Sequence, residues 1–346
     1  MKIDMEYVKE FLIKLLKTPS PTGDTAKAVS LVKDEMKSFG LKITENAKGG
    51  FYATMEGELD DYEVLLSAHV DTLGAMVKEL KSNGRLKLSQ LGGYSWTAIE
   101  GCEVIIATMG AVEYTGTVLT TVASSHVHGG KTENEKRDEN LIEVRVDERV
   151  ENEKDLEALG INVGDFVYLK TGAHITDSGF VKSRHLDDKA CVAVLLGVIK
   201  ALISENKKPK RTTHFFISNY EEVGHGSSAG LPEKVREFIS LDMAAPGEGQ
   251  TSSEYKVTIC AKDSSGPYDK HIKEKFVDLA MKNDIPYAID IYPHYGSDAS
   301  AALRAGWNIR TGLIGPGVDA SHSFERTHID AIEATISLTL AYLTEE

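Results

Sequence analysis

Three short apolar runs each stop on side chains that bind metals or move protons, and this juxtaposition limits the fold more than any other feature of the chain. The run YEVLLSA (62–68) leads directly into His69-Val70-Asp71. HFFIS (214–218) is followed within three residues by Glu221-Glu222, and FISL (238–241) is followed at once by Asp242. Runs of this length, rich in aromatic and branched residues, read as buried strands. Helical patterns separate several of them, which predicts an α/β fold: a mostly parallel central sheet flanked by helices on both faces. In open sheets of this kind ligands collect outside the carboxyl ends of the strands. Two further segments deliver reactive groups to the same edge: HLDDKA opens a helix with Asp187, and the loop after IRTGLI (309–314) carries His322.

The remaining texture divides the chain. Two amphipathic helices are predicted at the start, the first with Val8, Phe11, Leu12, Leu15 and Leu16 in one stripe. The second spans 25–39, presents Val29, Val32, Met36 and Phe39, and stops at Gly40. From 73 to 176 short β-type runs (RLKLS, EVIIAT, YTGTVLTT, LIEVRV, DFVYLK) alternate with Gly-rich turns, and one helix is predicted near 152–159. We read residues 1–72 plus 177–346 as one α/β domain, interrupted by a small β-rich, barrel-like domain at 73–176. The polar run GKTENEKRDEN (130–140) reads as a solvated loop. After 176 a helix is predicted over 188–201, strands in THFFISN, EFISLD, YKVTICA, AIDIY and IRTGLI, and helices over 269–282 and 299–304.

Composition excludes several classes of function. A formal net charge of −14 argues against gripping nucleic acid or an anionic membrane by charge. No run of eighteen apolar residues suggests a membrane span, and the N-terminus lacks the pattern of a signal peptide. Cys102, Cys191 and Cys260 are scattered and odd in number, which suits a reducing compartment and predicts a cytoplasmic protein.

Two histidines and three carboxylates at one edge suit a pair of divalent ions; zinc, cobalt and manganese all accept such oxygen and imidazole ligands. If one carboxylate bridges, each ion receives a histidine, the bridge and one more carboxylate, and one Glu of the pair is left over. A spare carboxylate beside activated water is what hydrolysis requires, since water needs a base and the leaving group an acid. In His-x-Asp on an extended backbone both side chains point the same way, so Asp71 is expected to orient the His69 ring.

The ordered set His-x-Asp, Asp-Asp-Lys, Glu-Glu, Asp and His-Ser-x-x-Glu resembles the dinuclear metallo-aminopeptidases of the tetrahedral and glutamyl aminopeptidase type. PSPTG (19–23), LGINVGD (159–165), GSDAS (296–300) and ASHSFERTH (320–328) extend the likeness over nearly the whole chain. The resemblance implies that Asp187 bridges two metal ions, that His69 and Asp242 complete one site, and that Glu222 and His322 complete the other. It implies Glu221 as general base and acid and Asp71 as support for His69. It also implies peptide substrates, a dimerisation role for the β-rich insert, and assembly from dimers up to a tetrahedral dodecamer. Lys189 stands where the bridging motif more often has Arg. The insert lies between His69 and Asp187, 118 positions apart, which favours the aminopeptidase branch over carboxypeptidases and deacylases. Tyr292, His294 and Ser297, beside GSDAS, are candidates for the substrate pocket.

Rival readings stay open at this stage. GSSAG (226–230) matches the G-x-S-x-G elbow of serine hydrolases, with Ser228 as nucleophile, Asp242 or Asp298 as acid and His322 as base. Paired carboxylates also cleave glucans, for which Trp96 and Trp307 are the tryptophans available to stack on sugar. A catalytically inactive metal-binding scaffold is the non-enzyme alternative. His126 and His128 read as structural or solvated, and His225 as matching no ligand position.

Overall fold

The computed structural model describes residues 1–345. It separates into two compact units, Met1–Asp71 with the segment from Gly172 on, and Thr72–Thr171.

The first unit is built on a nine-stranded sheet. Its centre is parallel: Arg211–Ser218, Leu59–His69, Val235–Leu241 and Arg310–Pro316 lie side by side in that order. The flanks are largely antiparallel. Lys42–Glu45 and Phe51–Met55 extend one edge, and Val257–Asp263 pairs antiparallel with Arg310–Pro316 on the other. Tyr287–Ile291 then returns parallel to Val257–Asp263. The expectation of a mostly parallel sheet therefore describes the core strands and not most of the rims.

Strand alternation divides the core. Leu66, Ala68, Phe215, Ile217, Ile239 and Leu241 face the cluster that includes Val8, Leu12 and Leu15 of helix Met5–Leu16 and nearly all of helix Leu186–Ser204. Leu65, Phe216, Phe238 and Leu313 face the opposite way, toward Ala299 and Ala302 of helix Asp298–Arg304. Helix Leu186–Ser204 is apolar all round because it is sandwiched, contacting helices Met5–Leu16 and Ile329–Thr344 as well as the sheet. Ile329–Thr344 has no counterpart in the sequence reading. Its cap is His328, whose ring accepts the Asp330 N–H, rather than one of the usual capping residues.

The second unit contains a closed barrel of six strands in the order Gly74–Leu80, Arg85–Leu91, Ile142–Val146, Glu113–Thr120, Glu103–Ala107 and Phe166–Leu169, the last returning to the first. Val77, Leu86, Leu88, Val104, Ile106, Val118, Val144 and Val167 fill its interior. Asn152 caps the helix Glu153–Ala158 by accepting the N–H groups of Lys154 and Asp155. The polar run at 130–140 is more ordered than a plain loop. It holds a helical turn, Lys131–Asn134, and the Arg137 guanidinium gathers the carbonyls of Thr132, Glu133 and Glu135 together with the Glu100 carboxylate. His126 and His128 sit on an exposed single turn, Ser125–His128.

Candidate active site

Strand register brings the predicted side chains together. Ser218 pairs with His69, so the Glu221-Glu222 turn begins level with the end of Leu59–His69. Ser240 pairs with Ser67, which places Asp242, two residues on, at the level of His69. The Asp242 N–H donates to the Ile314 carbonyl at 3.0 Å, tying this residue to the strand whose following loop carries His322.

Asp187 lies at the centre of the cluster. One oxygen, Oδ1, is 3.2 Å from His69 Nε2, and the other, Oδ2, is 3.2 Å from His322 Nε2. His322 Nε2 is also 3.6 Å from Glu222 Oε2. Two groups result, each with donor atoms within 4.8 Å of one another: His69, Asp187 and Asp242, and Asp187, Glu222 and His322. Asp187 belongs to both. Glu221 belongs to neither, but its Oε2 lies 3.7 Å from His69 Nε2.

Burial and crowding set the electrostatics. Burial, with Asp187 next, pushes the Asp242 carboxyl up to about 8. Burial likewise raises Glu221, Glu222 and Asp188 well above the ordinary carboxyl range. Asp187 goes the other way: burial opposes its charge, but hydrogen bonds from His322 and His69 hold it below the usual value. His69 is buried too, yet Asp187, Glu221 and their neighbours outweigh that cost and raise its pKa well above normal. Glu222 Oε1 and Asp188 Oδ1 are buried with no hydrogen-bond partner. Buried carboxylate oxygens that lack donors, crowded around two imidazoles, are a donor set suited to divalent cations.

Several carboxylates that the motif reading left without a role hold this set in place. Glu325 accepts the N–H groups of Leu186 and Asp187 through Oε2 and that of His322 through Oε1. One side chain thereby fixes two candidate ligands distant in sequence; its spacing in HSFE was the available signal. Asp188 accepts the His69 N–H at 3.1 Å, Ser321 donates to Asp187 Oδ2, and Asp298 accepts the Ser227 N–H at 2.8 Å. The His69–Asp71 contact differs in kind from the expectation. His69 Nδ1 meets the Asp71 backbone carbonyl at 2.9 Å, while the carboxylate lies 3.7 Å away. Asp71 is beyond the strand end, where period-two alternation no longer holds.

A cavity of about 420 Å³ opens over the cluster, lined by Asp187, Glu221, Glu222, Asp242 and His322 and walled by His294, Tyr295, Ser297 and Arg304. Tyr292 corrects the pocket expectation. It faces the core, 4% exposed, with its hydroxyl against Ser252, and Tyr295 takes the place at the wall. Ser297 lines the cavity but also caps helix Asp298–Arg304 and meets the Tyr268 hydroxyl at 2.7 Å.

Residues 49–338 match the profile of the M42 glutamyl aminopeptidases. The chain belongs to that family. YhfE of Bacillus subtilis (strain 168), provisionally named an aminopeptidase, is 47% identical to this M42 chain over 339 residues, covering 98% of it and 96% of YhfE. Among solved structures, the aminopeptidase APDkam598 of Desulfurococcus kamchatkensis aligns with a TM-score of 0.87 at 20% identity, covering 99% of this chain and 96% of that one. The Pyrococcus horikoshii TET1 peptidase, which can assemble into a tetrahedron or a large octahedral shell, aligns at 0.84 with 22% identity, covering 98% and 100%. These likenesses establish the M42 fold. With family membership they make the chain an aminopeptidase-type hydrolase.

Proposed function

We propose that this M42 chain removes N-terminal residues from peptides by hydrolysis that depends on two divalent metal ions. The observation that carries the reading is the sharing of Asp187 by two histidine–carboxylate groups, with Glu221 left over beside them. Asp187 would bridge, His69 and Asp242 would hold one ion, and Glu222 and His322 the other. Bound there, zinc, cobalt or manganese would supply water of lowered pKa and polarise the scissile carbonyl.

The chain's own groups account for the rest. Glu221 takes the proton from the attacking water and delivers it to the departing amine. The carboxylate-lined cavity favours the cationic free amine of a peptide N-terminus. His294 and Ser297 line the substrate side, and Asp71 supports the glutamate turn and His69.

The rival enzymes lack matching geometry. Strand Arg211–Ser218 ends well before Ser228, whose hydroxyl donates to the His225 carbonyl at 2.9 Å. A serine elbow turns straight from strand to helix. Trp307 donates its indole N–H to Ser228 O and does not line the cavity, so it offers no sugar platform there. For assembly, the inserted unit exposes Met109, Val112, Val127 and Val163, apolar side chains that a dimer contact there would cover. Light scattering on the full chain distinguishes monomer, dimer and dodecamer. A cytoplasmic location is our reading of three buried cysteines outside any disulfide, and fractionation of expressing cells tests it.

The decisive test is a pair of variants. Glu221→Gln should retain its metal through dialysis and lose at least ~100-fold in turnover of an aminoacyl chromogenic substrate. Glu222→Ala should lose metal in the same dialysis. Near-normal turnover by Glu221→Gln overturns the assignment.

A further inference from the structure

We propose that segment 20–25 is a strap that positions the Glu221-Glu222 turn, with Thr22 as its central positioning residue. The proposal rests on the reading of Glu221 as proton carrier and extends it to residues that make no contact with the candidate ligands' donor atoms.

Three hydroxyls of this segment reach the site from the N-terminal side. Ser20 Oγ donates to the Val70 carbonyl at 2.8 Å, and Thr22 Oγ1 donates to Asp71 Oδ2 at 2.7 Å. Thr25 Oγ1 accepts from Asn219 Nδ2 at 2.9 Å. All five residues are buried: Ser20 1%, Thr22 4%, Thr25 6%, Asp71 0% and Asn219 5% exposed.

Asp71 passes this restraint to the glutamates. Its Oδ1 accepts the Glu221 N–H at 3.2 Å and its Oδ2 the Glu222 N–H at 3.3 Å. The turn needs restraint because Tyr220, just before it, has φ +68, a conformation that a bulky L-residue adopts only at a cost. Asn219 accepts the Tyr220 N–H at 3.0 Å and also donates to the Lys48 carbonyl at 3.0 Å. The restraint runs from Thr22 through the Asp71 carboxylate to the main chain of both glutamates. A buried carboxylate that loses one donor of three reorients toward others, and the amides it held move with it.

The test compares Thr22→Val, which keeps shape and removes the hydroxyl, with Thr22→Ser, which keeps the hydroxyl, in the metal-loaded full chain. Thr22→Val should lower kcat by about 10-fold or more, because sub-ångström to 1 Å displacement of a catalytic group is costly. KM should change less than about 3-fold, since uniform binding is untouched. Thr22→Ser should recover to within about 3-fold of wild type. Hydrogen exchange read by mass spectrometry on metal-free protein supplies the second measurement. The Glu221 and Glu222 amides should exchange at least about 10-fold faster in Thr22→Val, with the sheet amides unchanged. If Thr22→Val does not fold, Thr22→Ala carries the same comparison. The strap is overturned by wild-type kcat in Thr22→Val, by unaltered exchange at the two amides, or by equal impairment of Thr22→Ser and Thr22→Val. Glu221→Gln run alongside separates the two ideas. If it stays active, the reading of Glu221 fails and the exchange result alone decides the strap. If it is dead while Thr22→Val is normal, only the strap fails.

Discussion

Gly315 offers a direct way to move one candidate ligand without touching its side chain. It lies in strand Arg310–Pro316, and a Cβ built on it would stand 1.8 Å from the Asp242 carbonyl oxygen and 2.6 Å from the carbonyl carbon. Real Cβ contacts stay above 3.0 Å, so Asp242 must retreat by at least 3.0 − 1.8 = 1.2 Å. Both colliding atoms are main chain and cannot swing aside. The neighbouring hydrogen bonds, Asp242 N to Ile314 O at 3.0 Å and Ala244 N to Pro316 O at 2.9 Å, pin the same stretch and would be strained. Overpacking costs ~1–3 kcal/mol and each of the two strained hydrogen bonds about 1 kcal/mol, so Gly315→Ala should lose ~3–5 kcal/mol in urea unfolding. It should also release metal on dialysis and lose on the order of 100-fold in turnover, the scale for a displacement near 1 Å. Gly312→Ala in the same strand is the control. Its Cβ would meet Ile272 Cγ2 at 2.6 Å and Ile239 Cδ1 at 3.0 Å, side-chain ends that can give. It should cost stability and keep its metal. Full metal retention and turnover in Gly315→Ala, or equal metal loss in Gly312→Ala, would refute the reasoning.

Chelation of the loaded protein should lower its thermal midpoint and re-addition of metal should restore it, because an ion bound at 100 times its Kd stabilises by about 2.7 kcal/mol. An unchanged midpoint in differential scanning would contradict metal binding by the buried cluster. The two groups should also empty in order: the side chains of His69, Asp187 and Asp242 are all buried, whereas the His322 ring in the second group is 37% exposed. Glu222→Ala should therefore bind its remaining ion more tightly than Asp242→Ala in competition with a chelator, and the reverse order would count against the asymmetry. Far from the site, burial holds the His214 pKa below its ordinary value despite the Glu63 carboxylate at 2.8 Å. The unfolded chain, with a pKa near ~6.5, takes the proton more readily, so the stability His214 contributes is complete above ~6.5 and lost as pH falls below it. His214→Gln should flatten the decline of the urea midpoint between pH 7 and 5, and an unaltered slope would show that His214 is not its source.

What the sequence made legible was local and periodic. The apolar runs before His69, Glu221 and Asp242 are strands because each residue fits a pleated, buried surface, and the polar residue at each end marks where pairing stops. Helix Leu186–Ser204 was legible for most of its length, but its first turn was not. Asp187 and Asp188 have non-helical backbone angles, set by contacts to His69, His322 and Glu325 that lie more than a hundred residues away. The same non-locality hid the three-stranded sheet of His174–Ile175, Phe180–Ser183 and Glu325–His328, whose members are too short to announce themselves. Helix Ile329–Thr344 lacked the usual stop and start residues. Tyr292 was misplaced for a different reason: nearness in sequence to a loop says nothing about which face a residue one step past a strand presents.

The candidate ligands are held by two physical devices, and the difference explains why some were easier to foresee. His69 and Asp242 are placed by sheet register, through the pairing of Ser218 with His69 and of Ser240 with Ser67, so their separation follows from strand spacing. Glu222 and His322 belong to loops and are placed by carboxylates that accept their backbone N–H groups, Asp71 for the first and Glu325 for the second. Glu325 also holds the Asp187 N–H. The loop ligands thus depend on buried acids that are not ligands themselves, which adds to the negative charge of an already acidic pocket. A metal-free chain must carry that charge unbalanced or protonate it. This makes the loop half of the site the part whose order depends most on bound cations, whereas the register half persists as long as the sheet is intact.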